Sequence, residues 1–363
     1  MKCNEKENCK VEFGECERLH DMVEPLVEWF RENQRDLPWR KHVNAYRVWI
    51  SEIMLQQTRT EAVKPYFNTW MEKFPTVHAL AEASEAEVLH AWQGLGYYSR
   101  ARNIHAAARK MDSHYGGRVP DELKAVESLP GIGSYTAGAI LSIAYGKRTS
   151  AVDGNVLRIY ARLYGIEEDI LKAKGRRQVM NCVEQTLPED AGSFNEALMD
   201  LGQEVCIPRF PRCSECPIAS WCRAHREGKE KELPVRTKKK RQETLYLAAA
   251  LILRHGAFLM HKRPEKGMLA SMWEFPVVLA HTPEEAEGEL GRRWNCRLEG
   301  PVWKHRHVFS HRIWNMNAYV AAPAVQEPMG KDYAFFTPEE YRNIPLAGPH
   351  AQLAAWAEKL GME

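Results

Sequence analysis

Cys206, Cys213, Cys216 and Cys222 are separated by six, two and five residues. Thiolates are the ligands that iron–sulfur clusters select, and one short loop supplying all four closes a cage at little cost in chain entropy. Four thiolates also suit tetrahedral zinc, but zinc modules usually set two Cys-x-x-Cys hooks across a longer gap, and only Cys213 to Cys216 forms one here. On spacing, a 4Fe–4S cluster leads and zinc is the competing reading. Two carboxylates are the next candidates. Glu52, in VWISEIMLQQT, lies among Trp49, Ile50, Ile53 and Met54. Apolar surroundings raise a carboxyl pKa, and a glutamate that keeps its proton suits general-acid work on a base nitrogen; an exposed helical glutamate is the plainer alternative. Asp153, in AVDGNVLRIY, precedes a helical pattern whose N-terminus favours an ionised carboxylate, although capping alone would explain it.

One protonated and one ionised acid form the pairing that glycosidic cleavage through an oxocarbenium-like transition state requires. Between them lies LPGIGSYTAGAIL, Leu129 to Leu141, where Gly131 and Gly133 make a tight turn into an apolar helix pattern. Such a hairpin offers backbone N–H groups and a helix N-terminus to a phosphate without reading sequence. By itself a Gly-x-Gly turn between helices is weak evidence.

The hairpin, VDGN and the cysteine loop, in this order, resemble the iron–sulfur branch of the helix-hairpin-helix DNA glycosylases, which includes endonuclease III and the adenine DNA glycosylases. The resemblance covers Leu37 to Cys222. It implies the acid pairing, an all-α fold, a 4Fe–4S cluster on the four cysteines and double-stranded DNA as partner. A monovalent cation at the hairpin is also implied. Bifunctional relatives carry a lysine nucleophile in the hairpin; the matching residue here is Tyr135, and a phenol cannot form a Schiff base. That departure favours the monofunctional adenine branch. Its pattern assigns Glu52 as the acid protonating adenine N7 and Asp153 as stabiliser or covalent partner of the sugar cation, with Tyr135 and Asn155 beside it. Trp39, Arg40 and Glu196 match the base-pocket positions, and Gln57 and Tyr97 the residues that probe the duplex when the nucleotide is flipped out.

Residues 245–363 resemble the C-terminal domain of the adenine branch, itself related to the Nudix fold, at KGMLASMWEFP and HVFSH. A working Nudix hydrolase needs an Arg-Glu-x-x-Glu-Glu helix, and TPEEAEGELGRRW does not fit it. Recognition without hydrolysis is therefore expected. In guanine oxidised at C8, N7 becomes a donor, and a serine hydroxyl both donates and accepts. Phe309, Ser310 and His311 match the family loop that inspects 8-oxoguanine, so adenine opposite 8-oxoguanine, or guanine, is the expected substrate. Three rivals make other predictions: a bifunctional pyrimidine-lesion glycosylase, a non-enzymatic iron–sulfur DNA-binding or redox sensor, and a nucleotide pyrophosphatase.

The elements that must position these groups follow from periodicity. From 20 to 226 apolar residues recur at three and four spacing, as in VEPLVEWF, VLRIYARLYG and FNEALMDLG, which predicts an all-α domain. Residues 227–244 lose that period and carry Arg236, Lys238, Lys239, Lys240 and Arg241, which reads as a basic linker. Beyond Leu245 the period becomes two, with Trp314, Met316, Ala318 and Val320 on one strand face, and a helix near 351–360 closes a mixed α+β domain. Residues 1–19 read as a polar tail holding Cys3, Cys9 and Cys16. With 363 residues, 44% hydrophobic, the chain can bury two cores. No apolar run reaches the ~20 residues of a membrane span and no signal peptide opens the chain, so a cytoplasmic, nucleoid-associated bacterial monomer is expected. A net charge of +2 does not announce nucleic acid, so that inference rests on local patches.

Overall fold

The computed structural model describes residues 20–237, 242–309, 312–322 and 330–360. Cys3, Cys9, Cys16, Lys238, Lys239, Lys240, Arg241, Ser310 and His311 lie outside them. The described residues form two compact units: one drawn from 1–82 and 103–238, the other from 83–102 and 239–363.

Helices in chain order are α1 Val23–Asn33, α2 Ala45–Leu55, α3 Thr60–Lys73, α4 Val77–Glu82, α5 Glu85–Ala91, α6 Ser99–Tyr115, α7 Leu123–Glu127, α8 Ser134–Ala139, α9 Gly154–Leu163, α10 Ala173–Thr186, α11 Ala191–Glu204 and α12 Arg223–Arg226. In the first unit one core joins the apolar faces of α1, α9, α10 and α11, with Cys206, Cys216, Cys222 and Trp221 packed against it. α2 is buried on every side from Val48 to Met54, which sets Glu52 among Trp49, Ile50, Ile53 and Met54, each no more than 3% exposed. α8 runs straight into a π-helical turn, Ile140–Ala144, the kind of irregularity that recurs at functional sites. The segment read as a linker begins pinned: Leu233 is buried and its carbonyl accepts from Arg162 Nε at 3.0 Å, and Thr237 N donates to Asp169 at 2.9 Å.

The second unit holds β1 Glu243–Leu251, β2 Leu253–Arg254, β3 Ala257–Lys262, β4 Trp273–Glu274, β5 Val277–Ala280, α13 Pro283–Trp294, β6 Arg297–Val308, β7 Arg312–Ala322, β8 Tyr333–Phe336, α14 Pro338–Tyr341 and α15 Gly348–Leu360. One sheet runs β5-β1-β7-β6, with β1 and β7 parallel; the other centres on β3, flanked by β2, β4 and β8. The two-residue period explains the layering. Ala249 and Leu251 face a core with Leu353, Ala354 and Ala357 of α15, while Ala248 and Ala250 face Ala286 and Leu290 of α13. Trp314, Met316 and Ala318 are buried as their spacing predicts, but Val320 is 37% exposed. It pairs Glu299, where β6 bulges before Trp303 and the ladder loses its register.

Candidate active site

Glu52 sits one turn before the end of α2, 6% exposed. Burial pushes its carboxyl up to about 7; the Tyr135 hydroxyl and Arg40 oppose the rise, and the negative charges of Asp153 and Glu196 add to it. The Tyr135 hydroxyl donates to Glu52 Oε2 at 2.5 Å and also lies 3.8 Å from Met199 Sδ. Burial beside two carboxylates raises Tyr135 well above its ordinary value, so the phenol keeps its proton and acts as a donor. Glu52 thus holds one carboxyl oxygen under a phenol, in a setting where the protonated acid persists to neutral pH.

Asp153 caps α9. Its Oδ1 accepts from Asn155 N and Val156 N, both at 2.8 Å, and Oδ2 accepts from Asn155 Nδ2 at 2.7 Å. The helix N-terminus does favour the anion, as the sequence suggests, but burial outweighs those donors and the net displacement is upward. Asn155 continues the network: its Oδ1 accepts from Arg158 Nη2 at 3.0 Å, while Arg158 Nε donates to the Cys206 carbonyl at 2.8 Å. A chain of hydrogen bonds therefore runs from Asp153 to the first cysteine of the loop. A Cβ at Gly202 would stand 2.5 Å from Asn155 Cβ, so only glycine lets α11 approach this closely.

α11 contributes several further groups. Asn195 Oδ1 accepts from Ala151 N at 3.2 Å and Asn195 Nδ2 donates to the Thr149 carbonyl at 2.9 Å, fixing the segment that leads to Asp153. Glu196 accepts from Arg40 Nε at 2.7 Å. Asp200, 1% exposed, accepts from Arg40 Nη1 at 2.8 Å and from Arg35 Nη2 at 2.5 Å. Trp39 and Arg40 come from the single turn Pro38–Arg40, and Trp39 packs edge-on against Phe67 at 5.5 Å. Trp39, Arg40, Glu52, Glu196, Met199 and Asp200 line one cavity. The structure thus brings Glu52 together with the three expected pocket residues and adds Asp200, Met199, Arg35 and Arg158, which sequence reasoning missed. Asp200 carried a signal, an acid within FNEALMDLG spaced one turn from Glu196.

The other expected residues fall elsewhere. Gly131 has φ 77° and its missing side chain leaves room for Asn103, whose Cβ a Cβ here would approach to 2.7 Å. Gly133 is the N-cap of α8 and exposed. Gln57 is exposed just past α2, with φ 59°. Within the second unit, Tyr97 is 42% exposed, with the Arg100 guanidinium 5.5 Å from its ring centre. Tyr97, Tyr98, Met268, Leu269, His307 and Phe309 line one cavity there.

The cysteine loop fits a metal group. Cys206, Cys213, Cys216 and Cys222 line a single cavity beneath Arg162. Burial pushes Cys216 up to about 12 and Cys222 up to about 11, and the neighbouring sulfurs add to both. Backbone N–H groups of Ile218, Ala224 and His225 aim at those two sulfurs, and Arg162 Nη1 donates to Cys206 Sγ at 3.2 Å. Four cysteine sulfurs around one hollow, with Cys216 and Cys222 buried and met by backbone donors, are a donor set that suits a cationic metal centre. Beside them, donor atoms of Cys213, His225 and Glu230 lie within 4.8 Å of one another, a grouping the spacing did not reveal.

Residues 50–185 match the HhH-GPD superfamily of base excision DNA repair proteins, and residues 248–356 match the NUDIX domain. The adenine DNA glycosylase of Rattus norvegicus is 34% identical over 89% of this chain and 75% of its own length. That of Homo sapiens is 34% identical over 84% and 67%, and that of Buchnera aphidicola subsp. Acyrthosiphon pisum 37% over 80% and 84%. A thermostable thymine-DNA glycosylase superposes with a TM-score of 0.53 at 27% identity, over 58% of this chain and 98% of that one. An endonuclease III in non-covalent complex with DNA superposes at 0.51 with 23% identity, over 60% and 99%, a likeness of fold. No helix among the described residues is long and apolar enough to cross a membrane. With that kinship over most of its length, and a helical glycosylase unit followed by a Nudix-like one, the chain belongs to the adenine DNA glycosylases, the base-excision-repair enzymes that hydrolyse N-glycosidic bonds in DNA.

Proposed function

We propose that this chain removes adenine mispaired with 8-oxoguanine, or with guanine, from double-stranded DNA, hydrolysing the N-glycosidic bond and leaving an abasic site. The observation that carries the reading is Glu52: a carboxyl held near pKa 7, donated to by Tyr135, in the wall of the cavity that Trp39, Arg40 and Glu196 share. Adenine turned out of the stack would enter that cavity, with a mispair lowering the cost of unstacking. Glu52 would give its proton to N7, so that the departing base carries no negative charge. Positive charge then grows on the sugar, and Asp153, fixed by three hydrogen bonds within its own cap, is the group to stabilise it. Among the described residues no lysine lines the cavity, and Tyr135 stands where bifunctional relatives carry an amine. Strand cleavage by β-elimination therefore lacks its nucleophile.

Gly131 and Gly133 would seat a DNA phosphate, with a monovalent cation, and Gln57 and Tyr97 would each act as a duplex-probing residue. The partner base would be read in the second unit, where Tyr97 and Phe309 share a cavity wall, with Ser310 and His311 following directly in the chain. Cys206, Cys213, Cys216 and Cys222 would hold a 4Fe–4S cluster, whose bound charge would order the loop carrying Arg209 and Arg212 near the DNA backbone.

The test is single-turnover base release from duplexes with adenine opposite 8-oxoguanine, developed with and without alkali. Nicks that need alkali, and vanish when cytosine replaces adenine, support the reading. Equal nicking without alkali points to a lyase, and binding without release to a DNA-binding sensor.

A further inference from the structure

Residues 263–272 leave the sheet between β3 and β4 and return, and they carry two non-glycine residues in the left-handed region, Leu269 at φ 56° and Ser271 at φ 58°. Side chains rarely adopt that conformation, so neighbouring groups must hold it. Arg263 N donates to the Met272 carbonyl at 2.9 Å, closing the base of the loop. Its Nε donates to the Met268 carbonyl at 2.9 Å, and Arg102 Nη1 donates to the Ala270 carbonyl at 2.7 Å. The loop's crest is thereby gripped on both sides of Leu269.

The Arg263 guanidinium is itself fixed from beneath. Its Nη1 donates at 2.5 Å to Glu274 Oε2, whose residue is 3% exposed. His261 Nδ1 lies 3.1 Å from the other carboxylate oxygen, and His350 Nε2 lies 3.5 Å from Oε2. Burial pushes His350 down to about 4, so it is neutral and Arg263 supplies the charge. Burial also drives Glu274 upward, but the His261 hydrogen bond and the charge and hydrogen bond of Arg263, joined by His350 only in acid where that ring is protonated, bring it below the usual carboxylate range. A buried ion pair is seldom the most stable way to fill a core, and its common use is to fix one geometry.

The geometry fixed here is a binding surface. Met268 and Leu269 stand in the wall of the cavity that also takes Tyr97, His307 and Phe309. We propose that Arg263 and Glu274 are positioning residues for the base opposite adenine: through the Met268 carbonyl they hold the Met268–Leu269 wall at the spacing that accepts 8-oxoguanine in preference to guanine. The inference rests on the reading of this cavity as the opposite-base site. Neither residue would touch the base, and both lie outside the cavity that holds Glu52.

The experiment compares the full-length holoenzyme with R263K, E274Q and L269A. Lysine cannot reach both acceptors, glutamine keeps the volume but not the charge, and L269A removes part of the wall while leaving the buried pair intact. Adenine release opposite 8-oxoguanine and opposite guanine is measured as a function of enzyme concentration under single-turnover conditions, giving an apparent affinity and a limiting rate for each duplex. The preference for 8-oxoguanine should fall about tenfold in each variant, the scale of one charge-assisted hydrogen bond. In R263K and E274Q the change should lie in affinity, with the limiting rate opposite guanine held within about twofold. Should R263K fail to fold, E274Q and L269A decide. Parallel losses on both duplexes, or an unchanged preference in any folded variant, overturn the inference. A wild-type protein with no preference sinks the opposite-base reading itself and the inference with it.

Discussion

Glu52→Gln should make the protein more stable at alkaline pH while abolishing base release. In the folded chain Glu52 titrates at about 7 instead of 4.5, chiefly because it is buried. Between those values the native state keeps a proton that the unfolded chain has already released, so each rise in pH favours unfolding. The stabilisation is whole below about 4.5 and gone above about 7. A displacement of that size is worth about 3 kcal/mol. Glutamine never ionises and keeps the carbonyl oxygen that accepts from Tyr135, so the variant escapes this loss. Its amide N–H groups meet an environment shaped for a carboxyl, which takes back about 1 kcal/mol. The expected outcome is a variant about 2 kcal/mol more stable than wild type at pH 8.5, and equal to it or slightly weaker at pH 4.5. Urea unfolding followed by far-ultraviolet circular dichroism, dominated by the helical unit, measures both. A variant whose stability differs from wild type by the same amount at the two pH values would refute the claim that Glu52 holds its proton through burial, whatever its activity. The site thus carries a buried carboxyl whose ionisation costs the alkaline protein stability, as expected where function and packing compete.

Three further outcomes follow from neighbouring contacts. Tyr135→Phe removes a hydrogen bond that favours ionised Glu52, so the alkaline limb of the single-turnover rate should move up by about one pH unit; a limb that moves down, or stays, counts against the contact. Asp200→Asn leaves Arg35 and Arg40 facing a neutral partner in a buried setting, which should lower thermal stability by about 3 kcal/mol and weaken binding of an uncleavable adenine analogue; normal melting with normal binding would mean that Glu196 alone orients Arg40. Cys213→Ser should strip iron and acid-labile sulfide from the purified protein and lower affinity for undamaged duplex, read by elemental analysis and salt titration. Zinc recovered from the wild type in place of iron and sulfide would return the loop to its competing reading.

Sequence revealed the groups whose setting is local. The apolar run on both sides of Glu52 foretold its burial because a helix with no polar face has nowhere to expose a carboxyl. VDGN foretold a capped helix because Asp153 accepts from residues two and three places on. The long-range contacts were invisible for the converse reason. Asp200 meets Arg35 and Arg40 across 165 and 160 positions, and no period in either segment records the other. The sign of the Asp153 displacement failed to follow from its cap because burial is set by packing with α11, not by the turn it begins. Val320 kept its period and lost its burial, since a bulge on the partner strand decided the face.

The same division explains why the two cavities differ in how far sequence reaches. Around Glu52 most groups sit on a helix or at its cap, so their directions follow once the helices are placed. Around Met268 and Leu269 the wall is a loop whose left-handed residues have no propensity to be there. Its shape exists because Arg263 and Arg102 hold its carbonyls and because Glu274 holds Arg263. Removing one partner of that buried pair leaves the other charge uncompensated beneath the loop. On the proposed reading of this cavity, substitution of Arg263 or Glu274 should therefore cost discrimination between partner bases before it costs the capacity to release adenine.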